Sequence, residues 1–239
     1  MKLTRTSLLA LMTLLLPFAA SAQVIFTNND GTFTSNGNAV GTTTLSLGAG
    51  GTGMGQLTAI SGLSGFGVPD ATVTYPGCAP TCLGTISLTT GTLATGSLLT
   101  TNAAAPATFN AGGSFTVSYT NGVSFTGTFS AGAAWISTGK NTWTFSGSIV
   151  GGMLTIGGNT YMITQAATVQ LTTTGVAPVI TRNGSGVVTG ITFKDSGGTT
   201  NFMAPVPEPG TLSLFGGGLI TIGMLARKKL LTDTKGTRA

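Results

Sequence analysis

The sequence predicts an all-β fold, a β-sandwich or an open β-roll of antiparallel meanders, with an apolar segment on either side of it. Three observations lead there. Charged residues make up 6% of the chain, against about 25% in ordinary soluble proteins, and Thr and Ser fill most of the remaining polar positions. Glycine stands at 38 of 239 residues, about twice the usual share, and divides the chain into short runs. Within those runs apolar and polar residues alternate with a period of two, the pattern of half-buried strands. Disorder goes with low hydrophobicity and high charge; here 41% of residues are hydrophobic, and they are patterned.

The first segment has a basic start, Lys2 and Arg5, followed by an apolar stretch from Leu8 to Ala20 broken only by Thr13. Ala20-Ser21-Ala22 then supplies the small-x-small pattern a signal peptidase reads. Residues 1–22 are expected to be a secretory signal peptide cut after Ala22, so that the mature chain begins at Gln23. The apolar stretch is short for a permanent anchor.

Residues 23–204 form the body, long enough to bury a core as one domain or two small ones. Its first part carries short strand runs, VIFTN, TTTLSL, ATVTY and TISLTT, separated by Gly-rich joints at 48–55 and 61–67. The clearest alternation is Ser114 to Phe129. Phe115, Val117 and Tyr119 share a face, and Val123, Phe125 and Phe129 follow with the same parity. A three-residue loop, Thr120 to Gly122, keeps both rows on one face by pairing Tyr119 with Val123 and Val117 with Phe125. Trp143, Phe145 and Ile149 alternate next. Gly151-Gly152 is then expected to turn the chain and pair Ile149 with Leu154. A four-residue loop, Gly157 to Thr160, is expected to pair Ile156 with Tyr161 and Leu154 with Ile163. Val169 and Leu171 mark a further strand. The body shows no convincing helix and no exact internal repeat.

Net charge is +5, but the charge sits at the ends. In the body Lys140, Arg182 and Lys194 balance Asp30, Asp70 and Asp195. No cluster of cations is present to bind nucleic acid. There is no histidine, which removes Ser-His-Asp and Cys-His arrangements, histidine metal sites and the usual near-neutral base. The one glutamate is Glu208, and nothing in the spacing of the three body aspartates groups them as a catalytic pair. The inventory predicts no enzyme, no metal and no cofactor. Asn28-Asn29-Asp30-Gly31 holds oxygen ligands in a turn, but a calcium site wants several carboxylates, so a solvated turn is expected. Val68-Pro69-Asp70 reads as another turn.

Cys78 and Cys82 are the only cysteines. In an oxidising compartment a near-neighbour pair with Pro80 in its loop is expected to form a disulfide pinning a surface loop. Trp143 alternates with core residues and is expected to be buried. Trp135, in the less regular AGAAWISTGK, is the better candidate for an exposed aromatic able to stack on a sugar, with core as the default for both.

The final segment begins with Pro207, Glu208 and Pro209, which forbid a helix and hold an extended strand. Gly210 to Ala226 follows, 17 residues without charge, about 25 Å as a helix and enough for a thin bilayer core. Arg227, Lys228 and Lys229 then act as stop-transfer, with positive charge on the cytoplasmic side. This order resembles the PEP-CTERM sorting signal of Gram-negative bacteria, over residues 205–229, with 230–239 as a cytoplasmic tail longer than such signals usually carry. The body itself resembles no family recognised from its residues. The resemblance implies recognition by an exosortase, a membrane-embedded cysteine transpeptidase. It implies transient anchoring in the inner membrane, then delivery to the cell surface or extracellular matrix.

The expected role is that of a non-enzymatic exported protein associated with exopolysaccharide and biofilm. The alternative is a carbohydrate-binding or adhesive module with a defined ligand site. Aromatics exposed together on one sheet face would favour the second, and a featureless Thr-rich surface the first.

Overall fold

The computed structural model describes residues 21–48, 53–78, 82–99, 106–139, 141–173, 177–194 and 196–205, together with Gly217. Residues 21–205 form one compact unit. Sixteen strands build it, in chain order β1 Ser21–Asn29, β2 Phe33–Ser35, β3 Leu45–Leu47, β4 Gly55–Ser61, β5 Ala71–Thr72, β6 Gly84–Thr90, β7 Ala107–Phe109 and β8 Gly112–Tyr119, then β9 Val123–Phe129, β10 Ala133–Gly139, β11 Thr142–Ile156, β12 Asn159–Ile163, β13 Ala167–Thr173, β14 Val179–Arg182, β15 Val188–Phe193 and β16 Ser196–Pro205. Among the described body residues the one helical turn is the 3-10 turn Ser64–Phe66.

The architecture corrects the expectation of a sandwich or an open roll. Eight strands close into a barrel. The order β1-β4-β6-β8-β9-β11-β13-β16 follows the chain, every neighbour is antiparallel, and β16 returns to β1. This is an up-and-down barrel with excursions inserted between successive staves. Closure gives each of those eight strands a partner on both sides over at least part of its length. The final stave pairs with the first over eight residues, from Ser21 opposite Pro205 to Asn28 opposite Gly198.

Most of the excursions extend the barrel at one end, while β5, on the far part of β4, and β12, on the last third of β11, lie toward the other. β3 continues along β6 beyond β4, pairing Leu47 with Leu88, and β2, β15 and β14 add to it in turn. β10 continues β9 along the first half of β11, and β7 adds to β10. β12 and β13 likewise share the other side of β11. β11 is therefore the spine of three long, interrupted strands.

Two expected turns move as a result. Gly151-Gly152 does not reverse the chain: β11 runs straight through it with a bulge between Val150 and Met153. Gly151 takes the left-handed conformation at φ 61. Gly152 is where β11 presses on the ring of Phe125, 2.9 Å from an added Cβ. The next reversal is the two-residue loop Gly157-Gly158, which pairs Ile156 with Asn159 and Leu154 with Tyr161. That loop replaces the expected four-residue one. The Tyr119–Val123 hairpin forms as expected, with Val117 opposite Phe125 and Gly122 at φ 74.

The interior is filled with rings. Phe125 stacks on Phe202 at 4.3 Å and 10°. Phe26, Phe115 and Phe129 complete the set at centroid distances of 5.7 to 6.4 Å. Phe145 carries the chain of contacts on to Phe33, Trp135, Phe193 and Trp143 under the added strands. All of these rings are buried. Burial of each such side chain is worth about 1.5–3 kcal/mol.

Candidate functional site

The cleavage and sorting residues fall mostly beyond the folded body. Ala20, Pro207, Glu208, Pro209, Arg227, Lys228 and Lys229 lie outside the described residues. The Gly210–Ala226 run expected to span the membrane lies there too, apart from Gly217. Among the described residues no helix is long and apolar enough to cross a membrane. Ala22 is the second residue of β1, opposite Ala204. Cys78 and Cys82 are bridged, as expected, with Cα atoms 4.6 Å apart, in the loop leading into β6.

The acids do not converge. Asn29 pairs with Gln56, which sets Asp30 at the Gly55 end of β4. Asp70 Oδ1 accepts from the Gly62 N–H at 2.9 Å, beyond the opposite end of β4. A strand of that length holds them roughly 20 Å apart. Asp195 lies outside the described residues. Among the described residues no group of three His, Cys, Asp or Glu could hold a metal ion. The Asn28–Gly31 stretch differs from a solvated turn at its first residue. Asn28 is an inward-facing strand residue, 1% exposed, and the turn is made by Asp30 at φ 58.

Trp135, the better candidate for an exposed aromatic, takes the default core position instead. It is 2% exposed, its ring 5.0 Å from Phe33 and 4.7 Å from Phe193. β10 covers that end of the barrel, so its apolar parity, Ala133 and Trp135, points inward. Trp143 is buried as expected, again at 2%. Neither tryptophan can serve as a stacking platform.

What the surface does present is a groove of about 380 Å³ over the outer face of β11, β13 and β16. Residues of opposite parity to the core face outward there. The registers align them in two rows: Ser148, Thr168 and Asn201, then Ser146, Gln170 and Thr199. The break between β9 and β10, Ser130-Ala131-Gly132, lines one side. Gly147 sits beneath with its missing side chain replaced by the Phe129 ring, 3.0 Å from an added Cβ. No ionisable side chain lines the groove. Sequence reading missed this site, because alternation marks which residues face out but not which strands lie side by side.

The C-terminal segment, residues 205–229, matches the model of the PEP-CTERM protein-sorting motif. No curated protein and no solved structure matches the chain. The match defines a class first: an exported protein processed by an exosortase, anchored transiently before release at the surface. More narrowly, the chain carries the PEP-CTERM sorting signal behind an eight-stranded barrel of its own.

Proposed function

We propose that the protein is a non-enzymatic component of the cell surface or extracellular matrix, associated with exopolysaccharide and biofilm material. It enters the export route on a signal peptide, residues 1–22. Gly210–Ala226 then anchors it in the inner membrane, with Arg227, Lys228 and Lys229 as stop-transfer, until exosortase acts at Pro207-Glu208-Pro209. The observation that carries the reading is the sorting-motif match over 205–229. The non-enzymatic part is supported by the absence of histidine, by a lone glutamate placed in the motif, and by the separation of Asp30 from Asp70.

Glu208 is the charge in the motif, held between two prolines that remove backbone donors and keep the strand extended. Glu208→Gln keeps the shape and removes the charge. In a host with the matching exosortase, the variant is expected at full precursor length in the membrane fraction, while wild type is released. A chain deleted from Pro207 onward is expected to leave the cell without anchoring. Processing of Glu208→Gln at the wild-type rate would refute charge recognition. Wild-type protein absent from the isolated matrix would refute the matrix role.

A further inference from the structure

We propose that the groove over β11, β13 and β16 binds an uncharged glycan through side-chain hydroxyls and amides. The proposal rests on the reading of the protein as an extracellular one and names what this face holds there.

Among the described residues the six side chains in the two rows have no hydrogen-bond partner, although each carries donors and acceptors. Elsewhere on the surface, hydroxyls facing each other across strands do bond: Ser46 with Thr89 at 3.0 Å, Thr144 with Thr172 at 3.2 Å, Thr155 with Thr160 at 3.2 Å. At the groove the polar groups are left for something else. Thr168 and Gln170 are exposed, and Ser146, Ser148, Thr199 and Asn201 are half-buried, so a ligand lying across them would take both kinds out of water.

The chemistry of the lining narrows the ligand. Phosphate, carboxylate and nucleic acid are recognised by cations, and hard metal ions by carboxylates; the groove holds neither. An extended peptide binds a sheet by adding to a free edge. Here β13 is paired on both sides, by β11 and β16, and β16 by β13 and β1, so no backbone edge is offered. What fits is a neutral ligand whose groups both donate and accept on a lattice like that of the floor. Neighbouring strands stand about 4.8 Å apart and successive outward residues about 6.6 Å apart, a spacing on the scale of one sugar ring. The volume lies toward the small end of the range for small-molecule sites, roughly 300–1,000 Å³, enough for a short segment of a polymer. With both tryptophans in the core, no ring stacks on the sugar, so each site is weak and retention depends on repeated engagement along a chain.

The test uses the full-length protein in detergent, so it does not depend on sorting, and Glu208→Gln protein should bind equally. Retention is measured on immobilised dextran, galactomannan and mannan, with alginate as a polyanion. Retention by at least one neutral polymer, insensitive to salt, is expected. Gln170→Ala and Asn201→Ala should each weaken it on the order of three- to tenfold, the loss of one or two hydrogen bonds. The double variant should abolish it with an unchanged melting temperature. Thr160→Ala, outside the groove, should leave it intact. No retention on any neutral polymer would overturn the proposal. So would retention unchanged in the double variant, salt-sensitive retention on alginate alone, or displacement by an excess of unfolded polypeptide, which would assign the groove to a peptide.

Discussion

Replacing Gly198 by alanine tests whether the barrel is closed at the seam that carries the groove. Gly198 lies on β16 between Leu171 of β13 and Asn28 of β1. An added Cβ would fall inside contact distance of the Gln170 carbonyl oxygen and 2.8 Å from Leu171 Cα. Both are backbone atoms held by the β13–β16 ladder, so neither can swing aside as a side-chain tip would. The strands must part, and the cost combines overpacking, about 1–3 kcal/mol, with a weakened ladder bond, about 1 kcal/mol. A total of about 2–4 kcal/mol lowers the melting temperature of a unit this size by roughly 5–15 °C. Gly184→Ala is the control. It has open space around it and no left-handed backbone, so the expected change is about zero to 1 kcal/mol on the stabilising side. Thermal unfolding followed by circular dichroism reads both. If Gly198→Ala melts within about 2 °C of wild type and of Gly184→Ala, β13 and β16 do not approach as described. Closure at that seam would then be wrong.

Three further outcomes follow from the same structure. Reduction of Cys78–Cys82 opens a loop of four residues' separation; the chain-entropy estimate for so short a loop is about 2 kcal/mol, so reductant should lower the melting temperature by a few degrees, and free thiols in the exported protein by mass spectrometry would contradict the bridge. N-terminal sequencing of the exported form should begin at Gln23, which still leaves β1 paired from Gln23–Met203 through Asn28–Gly198; retention of Met1 would count against it. Asn28→Leu should raise stability by about 1–3 kcal/mol, because both amide atoms are buried with no hydrogen-bond partner among the described residues; a lower melting temperature or urea midpoint would show that a buried water satisfies that amide.

The legible parts of the fold were those set by local chemistry. The Phe115–Phe129 hairpin could be placed to the residue because its apolar rows keep one parity and Gly122 supplies a left-handed residue at the loop. The sorting segment was legible because Pro-Glu-Pro, an uncharged run and a basic cluster each have a direct physical meaning. Closure was not legible. It depends on β16 meeting β1 and β4 meeting β6, and a two-residue period says which face is buried without saying against which strand. Gly151-Gly152 misled for a related reason: a glycine pair permits a turn, but here one residue makes a bulge and the other makes room for Phe125. Trp135 is buried by Phe33 and Phe193, on strands brought over from distant parts of the chain. The groove needs three strands in a known order, so none of its residues stood out alone.

The strand order also ties the fold to the delivery signal. In an up-and-down barrel the first and last staves are neighbours, and here that brings Ser21 opposite Pro205. The last stave is the residue run immediately before the sorting motif, with Val206 alone between Pro205 and Pro207. The body therefore lacks its closing strand until the chain has been exported nearly to the motif, and pairing β16 with β1 joins the residues farthest apart in the body. Contacts of that separation form late, because loop closure must precede them. Processing that cuts after Pro205 leaves every pair from Gln23–Met203 to Asn28–Gly198 in place. A cut upstream of Asn201 would remove pairs from both β1 and β13, and Phe202 with them, leaving an unpaired edge on each strand. The motif follows the closing strand in sequence with Val206 alone between them, so processing at the motif is expected to leave the barrel closed.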